Sequence, residues 1–524
     1  MLIRSALVSL LALSVGLGVG GCAVPTTGDQ GGAVQTNDRS ATGTSGEALS
    51  VGVMLVSPSG RFSLLQRADA SVIVDLEKKT TRELPFYASR FVFAHDGTRG
   101  YAFAPGAPAS VVAFDLETVT EAWRVSPSIT TPAVFSISDD DANVIVAGEG
   151  KASVVATKSG ALTGEIFLPS FPTNLTFLPA AKSGTGSAAR AVFVGSTEWT
   201  AHQPKTALSI VDLATLDQAR VDVPNCSAPL VVLPDASRAF LSPTFCQEDR
   251  PSTETVTWTN PDPVSVIDFD AKGAATFREN LPGFGPVALD KAGSVAVAYL
   301  DTARMDPAMF KDKDQVPAAG ADPYQLMVID PHSLTFTLTP IGHSLPRFAM
   351  GRDGKSLLVD ASVRVERVSA QAKVTVDANG IRIEAGATFG SDAPFGTFDL
   401  ASRKYTAFTG PLAALDRFVQ TKNGHVFTLK ATADGLGGDL FDLDLAAHTT
   451  KSMGRSLRDI GILPDGETLL LRVRLPAVKH DDGFHRAEQI CFSLDGSACS
   501  STITYESVAP IPNTSATCTG SHDC

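Results

Sequence analysis

The stretch RFVFAHDGTRGYAFAPGAPASVVAFDLETVTEAW, residues 90–123, holds three short apolar runs and a polar fourth segment, separated by turns. Phe91-Val92-Phe93-Ala94 ends at Asp96-Gly97, Tyr101-Ala102-Phe103-Ala104 ends at Pro105-Gly106, and Val111-Val112-Ala113-Phe114 ends at Asp115, before a last segment reaching Trp123. An Asp-Gly pair between apolar runs is a hairpin signal, because Gly takes the left-handed conformation such a turn demands. The runs are too short for helices, so the stretch reads as two successive β-hairpins.

The same unit recurs along the chain. The first turn reappears at Ser57-Pro58-Ser59-Gly60, Ser138-Asp139-Asp140, Leu178-Pro179, Pro234-Asp235, Asp290-Lys291-Ala292-Gly293, Arg352-Asp353-Gly354, Lys422-Asn423-Gly424 and Pro464-Asp465-Gly466. Downstream of it, an apolar strand ends near an Asp at Val74-Asp75-Leu76, Val211-Asp212-Leu213, Ile267-Asp268-Phe269, Ile329-Asp330-Pro331, Phe398-Asp399-Leu400 and Phe441-Asp442-Leu443, with Asp495 in the last unit and Thr157-Lys158-Ser159-Gly160 in the third. The unit is therefore four short strands, about 40 residues where it carries no insertion. With 44 Gly and 32 Pro spread along 524 residues, frequent turns and short elements are expected throughout, and 44% hydrophobic residues supply a large core.

A lone four-stranded antiparallel sheet cannot bury both faces, whereas radial stacking of such sheets covers them and leaves only short edges. The chain is thus expected to be all-β, a single β-propeller of about eight four-stranded blades, within a range of seven to nine. Nine units are counted; because propellers seldom exceed eight blades, one unit is expected to be a miscount or to lend its strands to ring closure. The pattern of an apolar run, Pro-Asp-Gly, an apolar run and then a Val-Ile-Asp-Leu strand resembles the YVTN family of propeller repeats. Ala113-Phe114-Asp115-Leu116-Glu117-Thr118 to Trp123 also resembles a quinoprotein-type repeat. The resemblance spans residues 50–503 and implies the fold; such propellers include enzymes, assembly factors and binders, so it implies no activity.

At the N-terminus Arg4, an apolar run from Ala6 to Leu17 and then Val19-Gly20-Gly21-Cys22 have the layout of a secretory signal. The last four residues resemble the lipobox of bacterial lipoproteins. That resemblance implies cleavage after residue 21 and lipid on Cys22; Ala23, where a retention signal would show Asp, points to the outer membrane. Residues 1–21 are read as signal peptide, 22–48 as a lipidated Gly/Ser/Thr-rich tether, 49–503 as the propeller and 504–524 as a C-terminal tail. The expected location is the cell envelope, periplasmic or surface-facing. Export also favours disulfides among the remaining six cysteines. Cys226 and Cys246 flank the turn at Ala236, Cys491 and Cys499 flank Leu494-Asp495-Gly496, and Cys518 and Cys524 are left to close a small loop in the tail. No CxxC pair suggests a Cys-ligated metal.

Insertions interrupt the link between the second and third strands at 199–205, 245–263, 302–324, 362–395 and 475–486. Because they share one position in the unit, they project from one face, the kind of surface on which repeat proteins bind. Within the fourth of these, Val374–Ile383 around Asn379-Gly380 reads as a hairpin arm. At the mouth of the channel, six residues before the turn's Asp or Asn, stand Arg90, Arg347 and Arg417. These are candidates for binding an anion or an acidic partner, the competing reading being pairing with neighbouring carboxylates. Asp459 holds the same place in the last unit and favours such an internal pair.

A formal charge of −13 with no basic run speaks against a nucleic-acid partner. Gly342-His343-Ser344-Leu345-Pro346 lacks the second Gly of a nucleophile elbow, and Gly354-Lys355-Ser356 lacks the first Gly of a P-loop, so no catalytic residue is assigned. Lys479-His480-Asp481-Asp482-Gly483-Phe484-His485 is read as a solvated surface loop rather than a metal site, and the cations alternating with Asp312 and Asp314 argue against calcium there. No metal and no cofactor are assigned. The sequence reading is a lipid-anchored, non-enzymatic binding or scaffold propeller, held to the membrane by its N-terminal lipid and binding a protein or envelope polymer. The alternative is a propeller enzyme of lactonase or quinoprotein-dehydrogenase kind, for which three Trp and Arg rather than Asp at the mouth are unfavourable.

Overall fold

The computed structural model describes residues 54–507 except 67–69, 179–189, 197–205, 226–228, 242–262, 271–272, 303–304, 318–323, 343–346, 361–372, 378–379, 385–394, 412–416 and 432–437. The expected positions of Cys22, Cys226, Cys246, Cys518 and Cys524 lie outside the described residues.

Among the described residues, nine four-stranded antiparallel sheets follow one another along the chain, at 54–83, 90–125, 134–167, 171–223, 230–281, 284–342, 347–407, 417–457 and 459–506. Each is built from consecutive strands, apart from a separate hairpin inside the seventh. The chain is a β-propeller of nine blades, which corrects the expectation of eight. Every repeat makes its own blade, and none lends strands to ring closure.

The turn chemistry explains why the unit repeats. In the turn between first and second strands, Asp96, Asp140, Asp235, Asp353 and Asp465 each accept a backbone N–H two residues ahead, at 2.8–3.0 Å. Between third and fourth strands, Asp75, Asp115, Asp212 and Asp330 accept the N–H groups two and three residues ahead. In blade 8 that task falls to Asp444 rather than Asp442, which instead pairs with His425 at 2.8 Å. The aligned Asp of this unit was thus two residues early. Gly97 has φ +69°, and a Cβ there would lie 2.6 Å from Ser59 Oγ, so both conformation and the neighbouring blade require glycine.

Nine apolar clusters fill the ring, each between successive blades. In the third strand of blade 2, Val111 and Ala113 join the cluster with blade 3, whereas Phe114 joins the cluster with blade 1. A central strand buried on both faces must be apolar at successive positions, hence the continuous runs in the sequence. Each fully buried side chain of this size contributes about 1.5–3 kcal/mol relative to exposure. Outer strands such as Thr80–Glu83 and Glu121–Val125 are polar and largely open to solvent.

The ring closes without strand exchange, by side chains of blades 9 and 1. Met54, Leu65, Val72 and Val74 pack on Leu470, Ile490, Phe492, Ile503 and Tyr505. The Met54 N–H donates to Asp459, Arg472 Nη1 donates to the Gln66 carbonyl at 3.4 Å, and the Tyr505 hydroxyl donates to Glu83. Among the described residues no helix is long and apolar enough to cross a membrane.

One inter-blade link is open to a pH test. Glu149, in the hairpin between second and third strands of blade 3, accepts from the Thr130 and Thr131 hydroxyls at 2.7 and 2.8 Å and from both N–H groups. These donors, the Thr130 hydroxyl first, hold its carboxyl at about 2 instead of the ordinary 4.5. A depressed folded value means that its contribution is complete above pH 4.5 and is lost as pH falls through about 2. An NMR titration should therefore place the Glu149 midpoint near 2, and Thr130→Val should move it upward toward 4.5. An unmoved midpoint would show that these hydroxyls do not set it.

Candidate functional site

Antiparallel order fixes the two faces of the disc. The start of every first strand, every connection between second and third strands and every link to the next blade share one face; the Asp-capped turns occupy the other. Arg90, Arg347 and Arg417 each open the first strand of their blade, so all three stand on the face that also carries the insertions.

Their roles diverge. Arg417 pairs with Asp459 of blade 9, which is 1% exposed and also accepts the N–H groups of Met54 and, at 2.8 Å, Ile460. Arg417 thus has the internal carboxylate partner of the competing reading. Burial pushes the Asp459 carboxyl up, and Arg417 opposes that shift. Arg90 is half-buried, donates to the Ser89 carbonyl at 3.0 Å, and has no carboxylate partner among the described residues. Burial lowers its pKa below the ordinary arginine value. The backbone of Arg347 lies opposite Asp360 in register, while its side chain is outside the described residues. Blades 9 and 1 stand between Arg417 and Arg90 in the ring, so these two arginines are not on adjacent blades.

A denser basic group lies in blade 9. Arg472 is 2% exposed and binds Glu488 through Nε and Nη2 at 3.1 and 2.7 Å. Arg474 faces Glu488 across the strands. The pKa of Arg458 is lowered by burial first and then by Arg474, with Arg472 and Arg486 adding to the effect. Sequence reasoning passed over these residues; the visible signal was Arg472-Val473-Arg474, two arginines on one side of a strand.

The segment read as an insertion at 475–486 is not a loop. The second and third strands of blade 9 continue through it as Leu469–His480 and Gly483–Ser493, paired as far as His480 with Gly483. On this arm His485 is buried; its Nδ1 donates to the Ser507 carbonyl at 2.6 Å and its Nε2 meets Asp482 at 2.8 Å. Those two bonds, Ser507 first, raise its pKa. His480 pairs with Glu506, and the two imidazole centroids are 4.4 Å apart.

The described part of the insertion in blade 6 is packed down. Asp306 and Asp312 cap two short 3₁₀ turns, Pro307–Met309 and Lys313–Gln315. Between them Phe310 is buried edge-on to Phe336, with Lys311 2.6 Å from Glu279 of blade 5. The expected arm in blade 7 is a hairpin, Lys373–Asp377 with Gly380–Glu384. The other two insertions, with Trp199 and Trp258, lie outside the described residues. Phe167 and Phe171, 75% and 65% exposed, sit where blade 3 passes into blade 4 on this same face, and the sequence reading did not single them out. On the opposite face Cys491 and Cys499 are joined as expected, with Cα atoms 5.2 Å apart around the Asp495-Gly496 turn.

No protein-family model matches the chain, and no curated protein matches it. Among solved structures, it is similar to hydrazine synthase of Kuenenia stuttgartiensis at 14% identity and TM-score 0.35, over 64% of this chain and 95% of that one. It is also similar to the Dos1 propeller at 11% identity and TM-score 0.42, over 82% of this chain and 90% of that one.

The two arginines should separate by stability. Arg417→Ala strands a buried carboxylate and is expected to cost on the order of 3–5 kcal/mol in chemical denaturation, whereas Arg90→Ala, with no carboxylate to strand, should leave the midpoint nearly unchanged. Equal losses in both variants would contradict the division of roles.

Proposed function

We propose that the chain is a lipid-anchored propeller of the bacterial cell envelope. On this reading it is a non-enzymatic binding or scaffold protein that engages a protein or envelope polymer through one face of the disc. The observation carrying the reading is the concentration of departures from the plain repeat on that face. The extended hairpin of blade 9, the packed insertion of blade 6, the hairpin of blade 7, Arg90 and the exposed Phe167 and Phe171 all belong to it. The opposite face carries short turns capped by their own Asp side chains. Exposed aromatic side chains, one of them with Lys151 over its ring, suit a mixed polar and apolar partner better than a small catalytic substrate.

The anchor follows from Val19-Gly20-Gly21-Cys22, through the resemblance to a lipobox. Membrane attachment then rests on the Cys22 thioether, with residues 22–48 as a tether long enough to let the disc orient. The expected outcome for Cys22→Ser is loss of the mature protein from the membrane fraction. In a second arm, the wild type and a variant lacking 362–395 are cross-linked in intact envelopes: the wild type should give a discrete adduct that the variant loses. Unchanged membrane retention of the Ser variant would overturn the anchor, and an unchanged adduct would overturn the assignment of the face.

A further inference from the structure

We propose that the arm of blade 9 carries a zinc site, with His480, His485 and Glu506 as ligands. The three residues come from three adjacent strands of one sheet. His480 pairs with Gly483, Val478 with His485 and Ala487 with Glu506, so strand alternation places all three side chains on the same side of the sheet. One donor atom from each lies within 4.8 Å of the others, the spacing at which a single ion can be shared.

The tautomer at His485 is the second support. Its Nδ1–H donates to the Ser507 carbonyl at 2.6 Å, so Nε2 is the nitrogen that can coordinate, once zinc displaces the proton it shares with Asp482. A ligating imidazole characteristically has this arrangement, its far nitrogen held by a carbonyl or carboxylate that fixes the ring and strengthens the donor. Nε2 now donates to Asp482 Oδ1 at 2.8 Å, and zinc would break that contact and sit among His485 Nε2, His480 and Glu506. Two imidazoles and a carboxylate suit zinc, with nitrogen and oxygen ligands at about 2.0–2.2 Å. The ion would pin the hairpin turn at 481–482 to the outermost strand, and so fix the orientation of an arm on the candidate binding face.

Zinc alone is the probe. Untagged full-length protein, stripped with chelator, should take up one zinc ion per chain in calorimetric titration. His480 and Glu506 are both exposed, so His480→Ala and Glu506→Gln are expected to keep the fold. Each should weaken zinc binding at least about tenfold, the loss that removal of even an outer-shell partner brings. Zinc should also slow proteolysis within 476–486 in the wild type and in neither variant. No stoichiometric uptake, or uptake equal to wild type in either variant, would overturn the site.

Discussion

The closure of the ring at the seam between blades 9 and 1 is the constraint on which the rest of the structure depends. Every other interface joins blades that follow one another in the chain, whereas this one joins residues as far apart as Met54 and Asp459, separated by 405 positions. A buried carboxylate without partners would cost several kcal/mol. Asp459 offsets that cost with three partners from three blades, the guanidinium of Arg417 in blade 8, its own neighbour Ile460 and the Met54 N–H of blade 1. The apolar cluster around Met54 and Tyr505 supplies the burial, and the polar contacts fix its register.

With the ring closed, one face becomes available for variation at little cost to stability. A connection that leaves the disc between second and third strands lengthens without disturbing the apolar clusters, since loop closure costs rise only slowly with length. Blade 6 uses that freedom for a packed segment anchored by Phe310, and blade 9 for a continuous extension of two strands. The same blade that closes the ring therefore also carries the arm and the arginines around Glu488.

Local chemistry was legible in the sequence, and long-range chemistry was not. The Asp and Gly residues of the turns act within a few positions of themselves, so the repeating unit and its four strands could be read directly. The count of nine was also present in the repeats; the reduction to eight came from an expectation about propellers in general. Asp442 and Asp444 lie on one strand with the same alternation, so spacing alone did not tell the turn residue from the partner of His425. The arm of blade 9 was missed because Pro476 and the polar run Lys479–Asp482 read as a loop, although Val473, Leu475 and Ala477 alternate as a strand does. The carboxylate partner of Arg417 is brought in by the next blade, and Arg90 has none among the described residues.

The central claim is that the seam around Asp459 holds the ring closed, and amide hydrogen exchange resolved along the chain tests it most directly. In Asp459→Asn, which keeps the side chain's shape and removes its charge, the amides of Met54–Val56 and Asp459–Ile462 should lose protection while those of blades 4–6 retain theirs. Equal loss in every blade, or unchanged protection at the seam, would contradict the account.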